Sequence, residues 1–155
     1  MYKIEVFMKE QFKDGKADSF LDDLKTAGID GISKARFAAL YFLDGEIAAE
    51  DIKKAAEELF ADKITQDFLI STTDGENAEN KDKEISIEIQ YKKGVTDNAA
   101  KSALKALADL NISGNISVKT GRKYYLNGGI SKEMAETIAY KILANALIEE
   151  CRIQF

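Results

Sequence analysis

The chain has 155 residues, a length that fits one ordinary domain or two very small ones. Apolar residues make up 45% of it, enough for a real core, and no run of them approaches the roughly 18 residues of a membrane span. The net charge is −5, with acids and bases interspersed. This argues against nucleic acid as the main partner, because phosphate binding needs a basic face.

The composition also argues against common kinds of catalytic and metal site. There is no histidine, the commonest general base and metal ligand. The single cysteine, Cys151, can form neither a thiolate metal cage nor an internal disulfide. No GxxxxGK[ST] or GxGxxG loop is present to hold a phosphate. We therefore predict no catalytic, cofactor-binding or metal-ligating residues, and a reducing cytoplasm as the location.

The predicted elements occur twice, at an offset of 83 residues. Without gaps, residues 2–72 match residues 85–155, and 18 of those 71 positions are identical. The opening residues of each copy alternate with a period of two, which predicts a strand. Apolar residues then follow at the i, i+3, i+4, i+7 spacing of a helix, at positions 17, 20, 21 and 24 and again at 100, 103, 104 and 107.

Capping residues mark the ends of these helices. Asp14 and Asp97 stand where the first helix of each copy begins, and Gly28 and Asn111 stand where a left-handed residue would end it. A long strand region follows, at 32–44 and 116–127, and then a second helix, which Ser131 caps in the second copy, and a last strand. Each copy is thus β-α-β-β-α-β, or β-α-β-α-β with one bent middle strand.

The predicted domain organisation is two small repeats joined by a linker. The repeats are residues 1–71 and 84–155, and the charged segment 72–83 between them is interpreted as flexible. A unit of about 70 residues buries only about 60% of its unfolded surface, so each repeat needs a partner. We expect an α+β fold of two sandwiches packed as a pseudo-twofold dimer, with antiparallel or mixed sheets, helices outside, and further self-association open.

Six short motifs carry a resemblance to a known family. They are GVTDNAAKSALKAL (94–107), VKTGRKYYLNG (118–128) and LANALIE (143–149) and, more faintly, YKIEVFMKEQFKD (2–14), GIDGI (28–32) and LYFLDG (40–45). In their order and spacing the chain resembles the PurS family, the small subunit of phosphoribosylformylglycinamidine synthase. It departs from the family at Asn98 and Ala146, where proline is usual, and this departure bears on local rigidity and not on the fold.

The resemblance implies a structural rather than a catalytic task. PurS proteins bridge a PurL-type synthetase and a PurQ-type glutaminase, so that ammonia from glutamine passes internally to the ATP-dependent step of purine biosynthesis. The resemblance implies that this chain binds no cofactor itself, while its partners use ATP with Mg²⁺ and glutamine. A double PurS looks like the family's homodimer in one chain, either as a free subunit or as the front of a longer synthase.

The candidate site is a partner interface around the GRKYYL stretch. Its residues combine arginine and tyrosine, which are enriched at binding hot spots, with two polar residues of the LANALIE motif. Asn145 is alternatively a left-handed residue that ends the second helix, and the tyrosines are alternatively two faces of an ordinary strand. The candidates are Arg122, Lys123, Tyr124, Tyr125, Asn145 and Glu149.

Two rival functions stay open at this point. The first is a tandem α/β sensor that binds a small metabolite between its repeats, which would require a concave pocket with convergent polar groups. The second is a stand-alone enzyme that depends on carboxylates, for which no nucleophile with an orienting partner is evident.

Overall fold

A computed structural model describes residues 1–73 and 84–155 and confirms the α+β class. Most of the predicted linker, residues 74–83, lies outside the described residues. Within the described ranges, no helix has the length and apolar character needed to span a membrane. The elements are β1 (Tyr2–Met8), α1 (Gly15–Thr26), β2 (Ile32–Gly45), α2 (Ala49–Ala55), β3 (Gln66–Thr72), β4 (Ile85–Tyr91), α3 (Asn98–Asp109), β5 (Ile116–Gly128), α4 (Lys132–Thr137) and β6 (Glu149–Gln154).

Both second helices end in a wider turn. α2 continues as a π-helical segment, Ala56–Phe60, and α4 continues as another, Ile138–Leu143. Each segment then closes with the same hydrogen bond, at 3.0 Å, from the residue after it: Ala61 N–H to the Ala56 carbonyl, and Ala144 N–H to the Ala139 carbonyl. Single π-helical turns often occur next to functional positions.

The middle strand of each repeat is continuous. β2 has 14 residues and β5 has 13, and neither is divided into two strands. Of the two element orders left open, β-α-β-α-β with one long strand is therefore the one found. The six strands are hydrogen-bonded in the order β3-β1-β2-β5-β4-β6, with β1/β3 and β4/β6 antiparallel.

The described residues form two compact units, and each unit draws on both repeats. Unit 1 contains Met1–Phe12, 39–73 and Thr96–Gly121, whereas unit 2 contains Lys13–Ala38, 84–95 and Arg122–Phe155. The first helix of each repeat is thus exchanged: α3 belongs to unit 1 and α1 to unit 2. This exchange was not visible in the sequence, because periodicity shows which face of a helix is apolar but not which sheet that face covers.

Each unit has its own apolar core between strands and helices. In unit 1 the buried side chains come from β1, β2, α2 with its π-helical turn, and α3, and they include Ile4, Leu43, Ile52 and Leu107. In unit 2 the corresponding core includes Leu24, Ile87, Leu126 and Ile138. The predicted apolar stripes of α1 and α3 are confirmed, since Ala17, Phe20 and Leu24, and likewise Ala100, Ala103 and Leu107, are buried.

An aspartate joins each first helix to its middle strand. The Asp14 carboxylate accepts from the Ala17 N–H at the start of α1 (3.1 Å) and from the Phe37 N–H in β2 (3.0 Å). Asp97 accepts from Ala100 (2.9 Å) and Thr120 (2.8 Å) in the same way. The predicted caps are confirmed, including Ser131, whose hydroxyl accepts from the Met134 N–H. The caps therefore also hold the helix against the strand.

The exchange predicts how an isolated repeat behaves. Residues 84–155 alone lack α1, the helix that covers the sheet of unit 2, while their own α3 has lost the sheet of unit 1. Two copies can satisfy each other by exchanging α3, so we expect a dimer at micromolar concentration in sedimentation-equilibrium experiments. A rigid, stable monomer of this fragment would contradict the exchange, and the intact chain provides the reference.

Removal of one aspartate tests its double role. Asp97→Ala should lower the free energy of unfolding by about 2 kcal/mol, because a helix cap and a bond to the Thr120 N–H disappear together. Urea denaturation measures the loss. Asp109→Ala, at the opposite end of the same helix, is the matched control and should change stability by less than about 0.5 kcal/mol. Equal losses of unfolding free energy for the two variants would show that Asp97 does not hold the helix against the strand.

Candidate functional site

Arg122 forms a forked ion pair with Glu149 inside unit 2. Its Nη1 lies 2.7 Å from Glu149 Oε1, and its Nη2 lies 3.1 Å from Oε2. Nη2 also donates to the Leu143 carbonyl at 2.7 Å, at the end of the π-helical turn. The planar guanidinium suits such two-pronged recognition of a carboxylate. Arg122 therefore connects β5 to β6 and to the end of the second helix.

Glu149 completes this network from the other side. Its side chain is only 9% exposed, and Oε2 also accepts from the Asn145 N–H at 2.8 Å. The hydrogen bonds from Arg122 lower the pKa of Glu149 below the ordinary glutamate value, against the effect of burial. The same pair raises the pKa of Arg122. Both groups are therefore charged at neutral pH, and their charges compensate each other.

Asn145 caps a turn instead of ending the helix in a left-handed conformation. Among the described non-glycine residues only Asn111 has a positive φ, so that prediction for Asn145 is wrong. Its side-chain oxygen accepts from the Leu147 N–H at 3.1 Å, and its carbonyl accepts from the N–H groups of Ile148 and Glu149. Such local bonds give asparagine the same turn without a positive φ.

The result is a rigid loop, residues 144–148, that presents an aliphatic side chain. Besides the bonds of Asn145, the Ala146 carbonyl accepts from Lys92 Nζ at the end of β4. Leu147 at the loop's apex is 86% exposed, and Ile148 beside it is 38% exposed. A pre-organised loop loses little conformational entropy on binding, which favours a contact role for Leu147.

Unit 1 contains a version of this loop that lacks the ion pair of unit 2. Asp62 takes the place of Asn145, and its carboxylate accepts from the N–H groups of Ile64 and Thr65 at 2.9 Å. Ile64 is 73% exposed, as Leu147 is in unit 2. Gln66 stands where Glu149 does, and its Oε1 accepts from the Asp62 N–H at 2.9 Å. Lys9 donates to the Lys63 carbonyl at 3.2 Å, as Lys92 does to the Ala146 carbonyl, but Arg122 has no counterpart here, because Ala39 stands in its place.

Tyr124 lies beside Arg122 and lines a cavity of about 310 Å³ in unit 2. Its ring packs on Phe20 (centroids 4.8 Å apart) and on Phe37 (5.3 Å). Burial raises the pKa of Tyr124, so the hydroxyl stays protonated at neutral pH. The cavity is lined by Gly15, Lys16, Ser19, Phe20, Asp23, Arg122, Tyr124, Ile142 and Leu143.

Lys123 and Tyr125 lie on the other face of β5, since successive side chains of a strand alternate. Both are buried, with 8% and 9% of their surface exposed. The Lys123 ammonium lies 4.7 Å from the centre of the Tyr125 ring, and the Arg36 guanidinium lies 4.2 Å from it. A direct partner contact in this conformation would therefore fall to the other four candidates and to their exposed neighbours.

The structure thus brings Arg122, Asn145 and Glu149 together, places Tyr124 beside them, and separates the other two candidates. Sequence reasoning missed Leu147 and three residues of α1: Lys16, Ser19 and Asp23. A signal for two of them existed. Lys16 and Asp23 align with alanines at the offset of 83, just as Arg122 aligns with Ala39.

Glu149→Gln tests the charge of the network without removing its acceptor. Gln66 shows that an amide oxygen can hold the loop, so we expect a folded protein whose free energy of unfolding at pH 7 is about 1 to 2 kcal/mol lower. Because the folded pKa of Glu149 is depressed, its stabilisation is complete above the ordinary value of 4.5 and is lost as the pH falls through the folded pKa.

The two proteins should therefore converge in stability between about pH 5 and pH 3 in urea titrations. Glu150→Gln, an exposed neighbour on the same strand, is the control and should match the unmodified chain at every pH. A constant difference across the whole pH range would show that the Arg122–Glu149 charge pair does not stabilise the fold.

Comparison with known proteins assigns the second half of the chain. No curated protein matches the chain significantly. The family model described as PurS, phosphoribosylformylglycinamidine (FGAM) synthase, matches residues 84–155. The match includes Arg122, Asn145 and Glu149 and ends with β6 and the residue after it. Residues 84–155 therefore belong to the PurS family of FGAM synthase.

Proposed function

We propose that the chain is a non-catalytic structural part of FGAM synthase in purine biosynthesis, which bridges the glutaminase and the ATP-dependent synthetase. The observation that carries the proposal is the loop 144–148. The loop and its ends form hydrogen bonds with Arg122, Glu149 and Lys92. The loop held in this way exposes the aliphatic side chain of Leu147. An exposed apolar side chain on a hydrogen-bonded loop suits a protein contact better than a chemical step.

The partners in this proposal are a PurL-type synthetase and a PurQ-type glutaminase. Glutamine and ATP with Mg²⁺ are used by those partners, and the chain itself supplies position. Ammonia that escapes into water at neutral pH is mostly protonated to ammonium, and it diffuses away quickly. A glutaminase must therefore be held in register with the synthetase. The same role applies whether the chain acts as a separate subunit or within a longer synthase.

The cavity of unit 2 favours one second candidate, the binding of a small metabolite. Its volume of about 310 Å³ is at the lower end of ligand sites, and several polar groups converge on it. Lys16, Ser19, Asp23, Arg122 and Tyr124 line it. This candidate predicts a ligand that raises the melting temperature of the chain in the absence of any other subunit.

Reconstitution with two nitrogen sources tests the bridge. The purified chain is mixed with the glutaminase and synthetase of the same organism, and FGAM formation is followed with glutamine or with an ammonium salt. We expect the chain to be required with glutamine, because ammonia must then cross between subunits. With a high concentration of ammonium the synthetase should work without it.

The control is the mixture without the chain, and complex formation is followed by size-exclusion chromatography. If no complex elutes and glutamine-dependent activity is unchanged when the chain is left out, the bridge is wrong. A complex that forms without any gain in glutamine-dependent activity would make the chain a passive scaffold and would also contradict ammonia transfer.

A further inference from the structure

Charged side chains from both repeats converge on the cavity of unit 2. Lys16 and Asp23 are seven residues apart on α1, so they lie on the same side of the helix, about 10 Å apart along its axis. Arg122 reaches the cavity from β5. Lys16 forms no ion pair with any carboxylate of the part of the chain that the structure describes; its ammonium lies 4.6 Å from the centre of the Phe37 ring.

The corresponding positions of unit 1 carry no charge at all. This is a consequence of the helix exchange, because the charged residues of α1 and the arginine of the second repeat all belong to unit 2, and the alanines at the equivalent positions belong to unit 1. Two separate segments have therefore diverged in a concerted way. Lys16 and Asp23 of α1 correspond to Ala99 and Ala106 of α3, and Arg122 of β5 corresponds to Ala39 of β2.

Aromatic packing shows the same divergence. In unit 1, Tyr41 stacks on Phe60, with ring centroids 4.1 Å apart and planes at 19°. In unit 2, Leu143 stands where Phe60 does, and Tyr124 turns instead to Phe20 of α1. Leu143 and Tyr124 both line the cavity of unit 2.

Leu143 links the cavity to the exposed loop along the chain. Leu143 lines the cavity, its carbonyl accepts from Arg122, and the loop 144–148 follows directly. Residues 143–148 contain no ionisable side chain, and Leu147 and Ile148 are exposed there. Unit 2 therefore joins an uncharged aliphatic loop to a cavity with the Lys16 ammonium at one end and the Asp23 carboxylate at the other.

We propose that the cavity and the loop 144–148 of unit 2 form one docking surface for a subunit of the synthase that presents a carboxylate side chain beside an apolar socket. The carboxylate contacts Lys16, and the socket receives Leu147. Asp23, at the far end of the cavity, takes a cationic or hydrogen-bond-donating group of the same partner. The inference rests on the proposed function and names the surface that performs it.

Unit 1 differs from unit 2 in the residues of this docking surface, so the surface occurs in unit 2 and not in unit 1. Its loop carries Asp62 and Lys63 around Ile64, and the positions equivalent to the charged cavity residues are alanines. A partner that recognises unit 2 by charge and by an uncharged loop therefore finds no second copy of that pattern in unit 1. We expect one partner molecule to bind per chain through this surface.

The test compares two variants with two matched controls in the complete chain. Lys16→Glu and Leu147→Asp alter the docking surface. Lys25→Glu makes the same charge change at another exposed lysine of α1, and Ile64→Asp makes the equivalent change in the loop of unit 1. All four side chains are exposed, so folding should be retained, which thermal denaturation followed by circular dichroism verifies.

Binding to the separately purified synthetase and glutaminase is measured by biolayer interferometry, and stoichiometry by sedimentation velocity. We expect Lys16→Glu and Leu147→Asp to raise the Kd for one of the two subunits at least tenfold, with both controls within twofold of the unmodified chain. One partner molecule should bind per chain. Lys16→Ala and Leu147→Ala add no charge and should also weaken binding. They replace any charged variant that fails to fold.

Each other result overturns the proposal in a recognisable way. If the unmodified chain binds neither subunit, the proposed function fails and this inference fails with it. If binding and glutamine-dependent activity are intact but Ile64→Asp weakens them as much as Leu147→Asp, or the docking variants change nothing, the bridge stands and the surface is wrong. If Leu147→Asp lowers the mass of the chain on its own, the surface belongs to a second copy of the chain.

Discussion

The two long middle strands are the feature on which the rest of the structure depends. β2 begins in unit 2 and ends in unit 1, and β5 begins in unit 1 and ends in unit 2. Asp14 and Asp97 each fasten a first helix to its own middle strand, at Phe37 and Thr120. Each first helix is held against one part of its middle strand, and the rest of the repeat continues beyond that part. The helix therefore lies in the core of one unit, while the other strands and the second helix of its repeat lie in the other unit.

This exchange explains why neither repeat is a complete structural unit. Leu24 of the first repeat is buried among side chains of the second, and Leu107 of the second is buried among side chains of the first. Small domains bury too little surface to be stable alone, and a shared core removes that limit. Each unit then buries more apolar surface than a single repeat could, and the two repeats cannot unfold independently.

Equivalent frames have allowed the two loops to diverge in chemistry. Both loops are closed by a carbonyl–N–H bond across the same four residues, and both present an aliphatic side chain at the apex. In unit 2 an ion pair between Arg122 and Glu149 braces the loop, whereas in unit 1 the hydrogen bonds of Asp62, Gln66 and Lys9 hold it without that ion pair. A backbone network that closes a loop by itself tolerates a change of charge around it, so function can be concentrated in one unit while the other stays structural.

The repeat, the strands and helices, their caps and the family of residues 84–155 could all be predicted from the sequence alone. These features depend on local spacing and on side chains a few residues apart, such as Asp14 with Ala17 or Ser131 with Met134. Asn111, with φ of 60°, shows the same local logic at the end of α3. The exchange of α1 and α3 became visible only in the folded chain, and so did the cavity that Lys16 and Arg122 both line. The same holds for the burial of Lys123 and Tyr125 and for the exposure of Leu147. The physical reason is that these outcomes depend on which sheet a helix covers and on which side of a strand is solvated, and residues distant in the chain settle both.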